Sequence, residues 1–148
     1  PESQLDRFLM RIALGYPDPA AERELLTGED PRRRLSRANA CVSPQQLVAL
    51  QAEVTQIKAS ASLVDYLQRL VQYTRTSGAF VCGVSPRGAM AVLQSARAWA
   101  LMDKRSYVIP EDIQAVFAAV VGHRLLASAG GEQVPMLIGQ VLGAVDIL

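Results

Sequence analysis

The sequence predicts an all-α fold, a small helical bundle with a short strand remnant at its start. Two observations carry that prediction. Half of the 148 residues are apolar but only 5% are aromatic, and a core dominated by Ala, Leu and Val suits helices better than sheets, which favour β-branched and aromatic side chains. In addition, Asp18-Pro19, Ser43-Pro44, Ser85-Pro86 and Ile109-Pro110 read as helix openings, because Pro fits the first helical position, where its missing N–H would be unpaired anyway. A chain of this length can bury one core.

The elements follow in order. Met10, Ile12 and Leu14 alternate with Arg11 and Ala13, which predicts a short strand, and Gly15-Tyr16-Pro17 stops it. Asp18 is a good N-cap for a helix from Pro19 to about Leu26. Thr27 to Ala40 is a polar loop with Gly28, Pro31 and charges of both signs, the best candidate linker. Ser43-Pro44 opens a helix with the apolar stripe Leu47, Leu50, Val54 and Ile57. Ser62 caps the next, with Leu63, Leu67, Leu70 and Thr74 inward, and Gly78 ends it. Ser85-Pro86 opens a third, with Ala89, Leu93, Ala96 and Ala100 on one face and Val92 and Trp99 beside them. Ile109-Pro110-Glu111-Asp112 opens a fourth, its acids in the first turn where the helix dipole favours them. Ile113, Val116, Phe117 and Val120 form its core face, and Gly122 stops it. A weaker helix covers Pro135 to Val145.

Composition excludes several classes. The formal net charge is +1, too small for a global field that would draw the chain to nucleic acid or a membrane. Lys58 and Lys104 are the only lysines, so the remaining Lys/Arg positions are Arg. Arg forks suit phosphate and carboxylate, and a high-GC genome produces the same bias. Cys41 and Cys82 lie far apart with no second Cys or His at ligand spacing, so a zinc site is not expected and reduced thiols in the cytoplasm are. Charges within residues 1–16 argue against a signal peptide. The apolar run from Val134 to Leu148 is interrupted by Gly139, Gln140, Gly143 and Asp146, and it is shorter than the ~20 residues a membrane helix needs. The chain begins at Pro1 without an initiator Met, so it reads as part of a longer protein.

Enzyme motifs are missing. A P-loop needs Lys followed by Ser or Thr, and Lys58 and Lys104 precede Ala59 and Arg105. No apolar strand ends in Asp-Glu, so the chain alone is expected to turn over no ATP. His123, the single histidine, follows a helix end, where a structural or capping role suits a cation.

Two arginines stand out. Arg87 lies in the first turn of its helix, where the dipole disfavours a cation. An arriving anion would make sense of it, because free N–H groups, dipole and guanidinium then converge. A solvated surface Arg is the plain alternative. Arg7, in Gln4-Leu5-Asp6-Arg7-Phe8, reads locally as an ion-pair partner of Asp6 or Glu2. The run Arg32-Arg33-Arg34 with Arg37 has no interleaved aromatics and follows Glu29-Asp30, which favours a solvated linker over a nucleic-acid contact.

Residues 1–17, from Pro1-Glu2-Ser3-Gln4-Leu5-Asp6-Arg7-Phe8 to Gly15-Tyr16-Pro17, resemble the segment that closes the nucleotide-binding domain of MoxR-family AAA+ ATPases. Gly83-Val84-Ser85-Pro86-Arg87, Tyr107-Val108-Ile109-Pro110-Glu111-Asp112-Ile113 and Gly122-His123-Arg124-Leu125 resemble that family's helical lid. Gly88 stands where Ala is expected in most relatives. The resemblance implies a stub of the base domain at residues 1–16, a connecting helix and linker at 17–40, and the lid at 41–148. It implies that Arg87 is the sensor-2 arginine, reaching the phosphates of ATP in its own subunit. It implies that Arg7 is the finger completing the neighbouring subunit's site in a ring, with a hexamer expected. ATP and magnesium belong to the parent protein on this reading, their main ligands lying outside this chain. Chaperone-like action on other complexes, with partners carrying von Willebrand factor A domains, is also implied. The rivals are a free-standing helical interaction module and a basic-loop nucleic-acid binder. A reading frame running upstream of Pro1 through a P-loop for roughly 150–200 residues, about one further domain, separates the first reading from both.

Overall fold

A computed structural model describes residues 2–128 and 133–147, and helices account for most of them. In chain order the elements are α1 (Glu2–Leu5), α2 (Pro19–Thr27), α3 (Pro31–Ser36), α4 (Pro44–Gln56), α5 (Ala61–Thr76), β1 (Phe80–Cys82), α6 (Pro86–Met102), α7 (Pro110–Val121), β2 (Leu126–Ala127) and α8 (Val134–Ala144). They form two units, one of residues 1–11 with 51–148 and one of residues 12–50.

In the 12–50 unit, local chemistry does the work. Asp18 accepts from the Ala21 N–H at 2.8 Å and starts α2, as its sequence implies. Asp30 does the same for Arg32 at 2.9 Å, so the expected polar linker contains a short helix, α3, opened by Asp30-Pro31. Ser43 and Gln46 cap α4 reciprocally, the Gln46 N–H reaching the Ser43 hydroxyl at 3.2 Å and the Ser43 N–H the Gln46 amide oxygen at 2.8 Å. None of these three helices buries a residue. The expected inward stripe of α4 is therefore corrected: Leu47 and Leu50 are exposed, and only Ile57, just past the helix, is buried.

The larger unit contains the core. Helix α5 buries Leu63, Leu67, Leu70 and Thr74 as expected, with Tyr66 and Val71 added. Its N-cap is Ser60, not Ser62, because the Ser60 hydroxyl accepts from the Leu63 N–H at 3.1 Å. The helix ends at Ser77, and Gly78 takes φ +74°, the left-handed conformation that glycine adopts without steric cost. Helices α6 and α7 pack along each other. The α7 face Ile113, Val116, Phe117 and Val120 is buried as expected. Helix α6 buries Val92, Ala96 and Ala100 as expected, with Gly88, Ala91 and Ser95 added, while Ala89 and Leu93 are half-buried and Trp99 is exposed. Leu137, Ile138 and Val141 of α8 complete the cluster.

The strands are not where alternation placed one. β1 and β2 pair antiparallel, Phe80 opposite Ala127 and Cys82 opposite Leu126. Residues 10–14 form no strand. A strand needs a neighbouring ladder, and the Arg11 N–H finds a single helix carbonyl instead, that of Ala119 at 2.8 Å.

The loop between α6 and α7 is closed by charge. Arg105 donates to both carboxylate oxygens of Asp112, at 2.7 and 2.5 Å. The Ile109 N–H also donates to Asp112 at 2.8 Å. Lys58 and Tyr107 form an isolated parallel bridge that ties this loop to the start of the core.

Candidate functional site

The start of α6 is fixed from three sides. At Gly83 the chain runs so close to α5 that an added Cβ would lie 2.4 Å from Arg75 Cγ and 2.8 Å from its Cα. Thr74 Oγ1 accepts from the Val84 N–H at 3.0 Å. The Arg75 guanidinium donates to the Val84 carbonyl at 3.0 and 2.8 Å. Val84 itself is buried, so Ser85 leaves a rigid base. The Ser85 hydroxyl accepts from the Gly88 N–H at 3.0 Å and caps the helix, with Pro86 as its first residue. Gly88 fits tightly: a Cβ there would stand 2.9 Å from Val84 Cγ1 and 3.3 Å from Arg124 Cδ.

Arg87 follows in the first turn. It is exposed, and among the described residues its side chain has neither a hydrogen bond nor an ion pair. A guanidinium held at a helix N-terminus and left uncommitted can receive an anion.

The other candidate lies on the N-terminal segment of the same unit. Asp6 accepts from the Ser85 hydroxyl at 3.1 and 3.2 Å and from Arg124 Nε at 2.9 Å. Arg7 is its immediate neighbour. The side chain of Arg7 is exposed and, like that of Arg87, lacks a partner among the described residues. Of the two ion-pair partners expected for it, Asp6 instead engages Arg124 and Ser85, and the Glu2 side chain lies outside the described residues. The structure thus sets both candidate arginines beside one hydrogen-bonded pair, Asp6 and Ser85, with neither side chain engaged among the described residues.

Asp6, Ser85 and Arg124 are the residues that reading for reactive groups passed over. Arg124 lies in the Gly122-His123-Arg124-Leu125 motif, but all its partners except Val120 are more than a hundred positions away, which no local pattern reports. His123 Nε2 lies 3.1 Å from the Phe8 carbonyl, and its Nδ1 is buried without a hydrogen-bond partner among the described residues. The basic run is partly paired, Arg34 with Glu24 at 3.3 Å and Arg37 with Glu29. Cys41 and Cys82 are free and exposed.

Among the described residues no cluster of three or more His, Cys, Asp or Glu could hold a metal, and no helix is long and apolar enough to cross a membrane.

The AAA lid domain model matches residues 72–137. The chain is 33% identical to the protein YeaC of Bacillus subtilis over 99% of its own length and 47% of the relative. It is 36% identical to the chaperone MoxR1 of Mycobacterium tuberculosis over 85% of its length and 35% of that protein. A solved structure from Cytophaga hutchinsonii, assigned as an ATPase, superimposes with a TM-score of 0.83 at 30% identity, covering 99% of this chain and 48% of the other. The chain is thus similar to the lid-bearing part of MoxR-type AAA+ proteins, and it spans half or less of the length of these relatives.

Proposed function

We propose that this segment closes over ATP in the intact protein and couples nucleotide state to a ring of like subunits. Arg87 serves as the sensor-2 arginine, reaching the phosphates bound in its own subunit. Arg7 serves as the finger that stabilises charge on the phosphoryl oxygens of ATP held by the neighbour. Residues 1–16 are then the end of the base domain and residues 41–148 the lid. Magnesium, held by groups outside this segment, would neutralise charge on the phosphates; this segment would contribute guanidinium groups and the closing motion. A chaperone-like role, a hexameric ring and partners with von Willebrand factor A domains follow from the same reading. The name of one relative, a chaperone, supports the first of these.

The observation that carries the proposal is the state of Arg87. Its helix start is immobilised by Ser85, Val84 and Arg75, yet its own guanidinium is exposed and unpaired among the described residues. A positive charge placed against the helix dipole and left without a partner is suited to an incoming polyanion. The test is Arg87→Ala in the intact ATPase, with ATP affinity and turnover measured together. One or both should fall while the melting temperature of the chain stays level or rises slightly, since an unfavourable charge–dipole contact is removed. Arg87→Lys should recover only part of the loss, because an ammonium lacks the planar fork. Unchanged affinity and turnover in Arg87→Ala would make Arg87 a plain surface residue.

A further inference from the structure

Arg124 is the most heavily engaged side chain near the two candidate arginines, and nothing in the nucleotide reading uses it. Its side chain is only 4% exposed. Besides the bond to the Asp6 carboxylate, it donates to the main-chain carbonyls of Asp6 at 3.2 Å, Phe8 at 2.5 Å and Leu9 at 3.1 Å, and to that of Val120. Two of these carbonyls belong to the residues on either side of Arg7. His123 approaches the same Phe8 carbonyl, and the Arg11 N–H is held by Ala119. The carbonyls of the residues before and after Arg7 are thus held by a buried guanidinium, while the Arg7 side chain stays exposed.

We propose that Arg124 is a positioning residue for Arg7. It touches no reacting atom. It holds the main chain on both sides of Arg7 against the end of α7, so that the exposed guanidinium of Arg7 leaves the surface from one fixed point. Asp6 completes the arrangement: its carboxylate joins Arg124 to Ser85, so the orientation of Arg7 is tied to the start of the helix that carries Arg87. Five donors in one planar fork are what let a single side chain hold several carbonyls and a carboxylate at once. The proposal rests on the finger reading of Arg7.

The experiment is steady-state ATP hydrolysis by the intact ATPase carrying Arg7→Ala, Arg124→Gln, both together, or Asp6→Asn. Small displacement of a positioned catalytic group costs on the order of 10²-fold in rate, so Arg124→Gln should lower kcat by about that factor. KM for ATP should stay within about twofold, as expected when an interaction made only in the transition state is lost. The decisive readout is non-additivity. With Arg7 already gone, adding Arg124→Gln should slow turnover no further, because Arg124 acts only through Arg7. Full kcat in a folded Arg124→Gln protein would overturn the proposal, as would losses that multiply in the double variant or a loss confined to KM. Should Arg124→Gln fail to fold, Asp6→Asn carries the test at a side chain that is 27% exposed. It should lower kcat in the same non-additive way, and normal turnover in it would overturn the proposal. Normal turnover in Arg7→Ala is a different result: it sinks the finger reading itself.

Discussion

Arg105 and Asp112 meet fork to fork, both terminal nitrogens of the guanidinium donating to the two carboxylate oxygens at 2.7 and 2.5 Å. Asp112 is 2% exposed while Arg105 remains 21% open to solvent. The buried partner therefore depends on the pair more than the open one does. Asp112→Asn keeps the shape and removes the charge, and hydrogen bonds to charged groups are worth about 1.5–3 kcal/mol. Chemical denaturation should show a loss of about 2 kcal/mol on that scale, with little change in the denaturant slope.

The same pair sets a pH dependence. Burial works to raise the Asp112 carboxyl, but the bonds from Arg105 and the Ile109 N–H outweigh it and hold the group below its ordinary value. The unfolded chain titrates this group near the usual Asp value of about 3.9. Its contribution to stability is therefore fully present above about pH 5 and is lost as pH falls through the lower, folded value. The stability gap between the native chain and Asp112→Asn should narrow steadily below about pH 4. A gap that stays constant down to the acid transition would contradict the assignment.

Gly83 should tolerate no side chain. Its added Cβ would meet Arg75 at Cγ, Cα and N, at 2.4, 2.8 and 2.9 Å, and two of those atoms are helix backbone that cannot swing aside. Overpacking of this kind costs about 1–3 kcal/mol. Gly83→Ala should lower the melting temperature accordingly. It should also weaken the Arg75–Val84 bonds that hold the start of α6, so in the intact ATPase it should affect nucleotide binding through Arg87.

If Arg7 is the finger proposed above, Arg7→Ala in the intact protein should leave nucleotide binding nearly unchanged and cut turnover on the order of 10³-fold, the scale of arginine fingers. Mixing these subunits with subunits that lack P-loop function should restore some hydrolysis, since each supplies what the other lacks at a shared interface. Mixed rings with verified subunit exchange and no recovered activity would remove the case for action in trans.

The helices were legible where a local signal opens them. Asp18-Pro19, Ser43-Pro44, Ser85-Pro86 and Ile109-Pro110 each mark a helix start to the residue, because capping and the fixed φ of Pro act within one turn. What depends on partners elsewhere was not legible. Met10, Ile12 and Leu14 alternate like a strand but have no ladder to join, whereas Phe80–Cys82 and Leu126–Ala127 are too short to show a period and pair only because the helices bring them together. Helix α6 buries Gly88, Ala91 and Ser95 as well, small residues with little apolar weight in a pattern. For the site, Ser85-Pro86 ahead of Arg87 marked a helix start. The fixation of Arg7 by Arg124 left no trace in spacing.

The bonds that Arg124 makes to the N-terminal segment span 115 to 118 positions of sequence, while α5, α6 and α7 adjoin one another along the chain. Closing a loop of that length costs entropy before any contact compensates it, and distant pairings lag behind near ones during folding. Residues 6–11 therefore leave the ribosome before the helices they contact and dock last, after Ser85, Ala119, Val120 and Arg124 have been brought together by their own helices. In pulse-labelled refolding the Arg11 amide should gain protection later than that of Phe117. The arm bearing Arg7 is set in place only on a lid that has already folded.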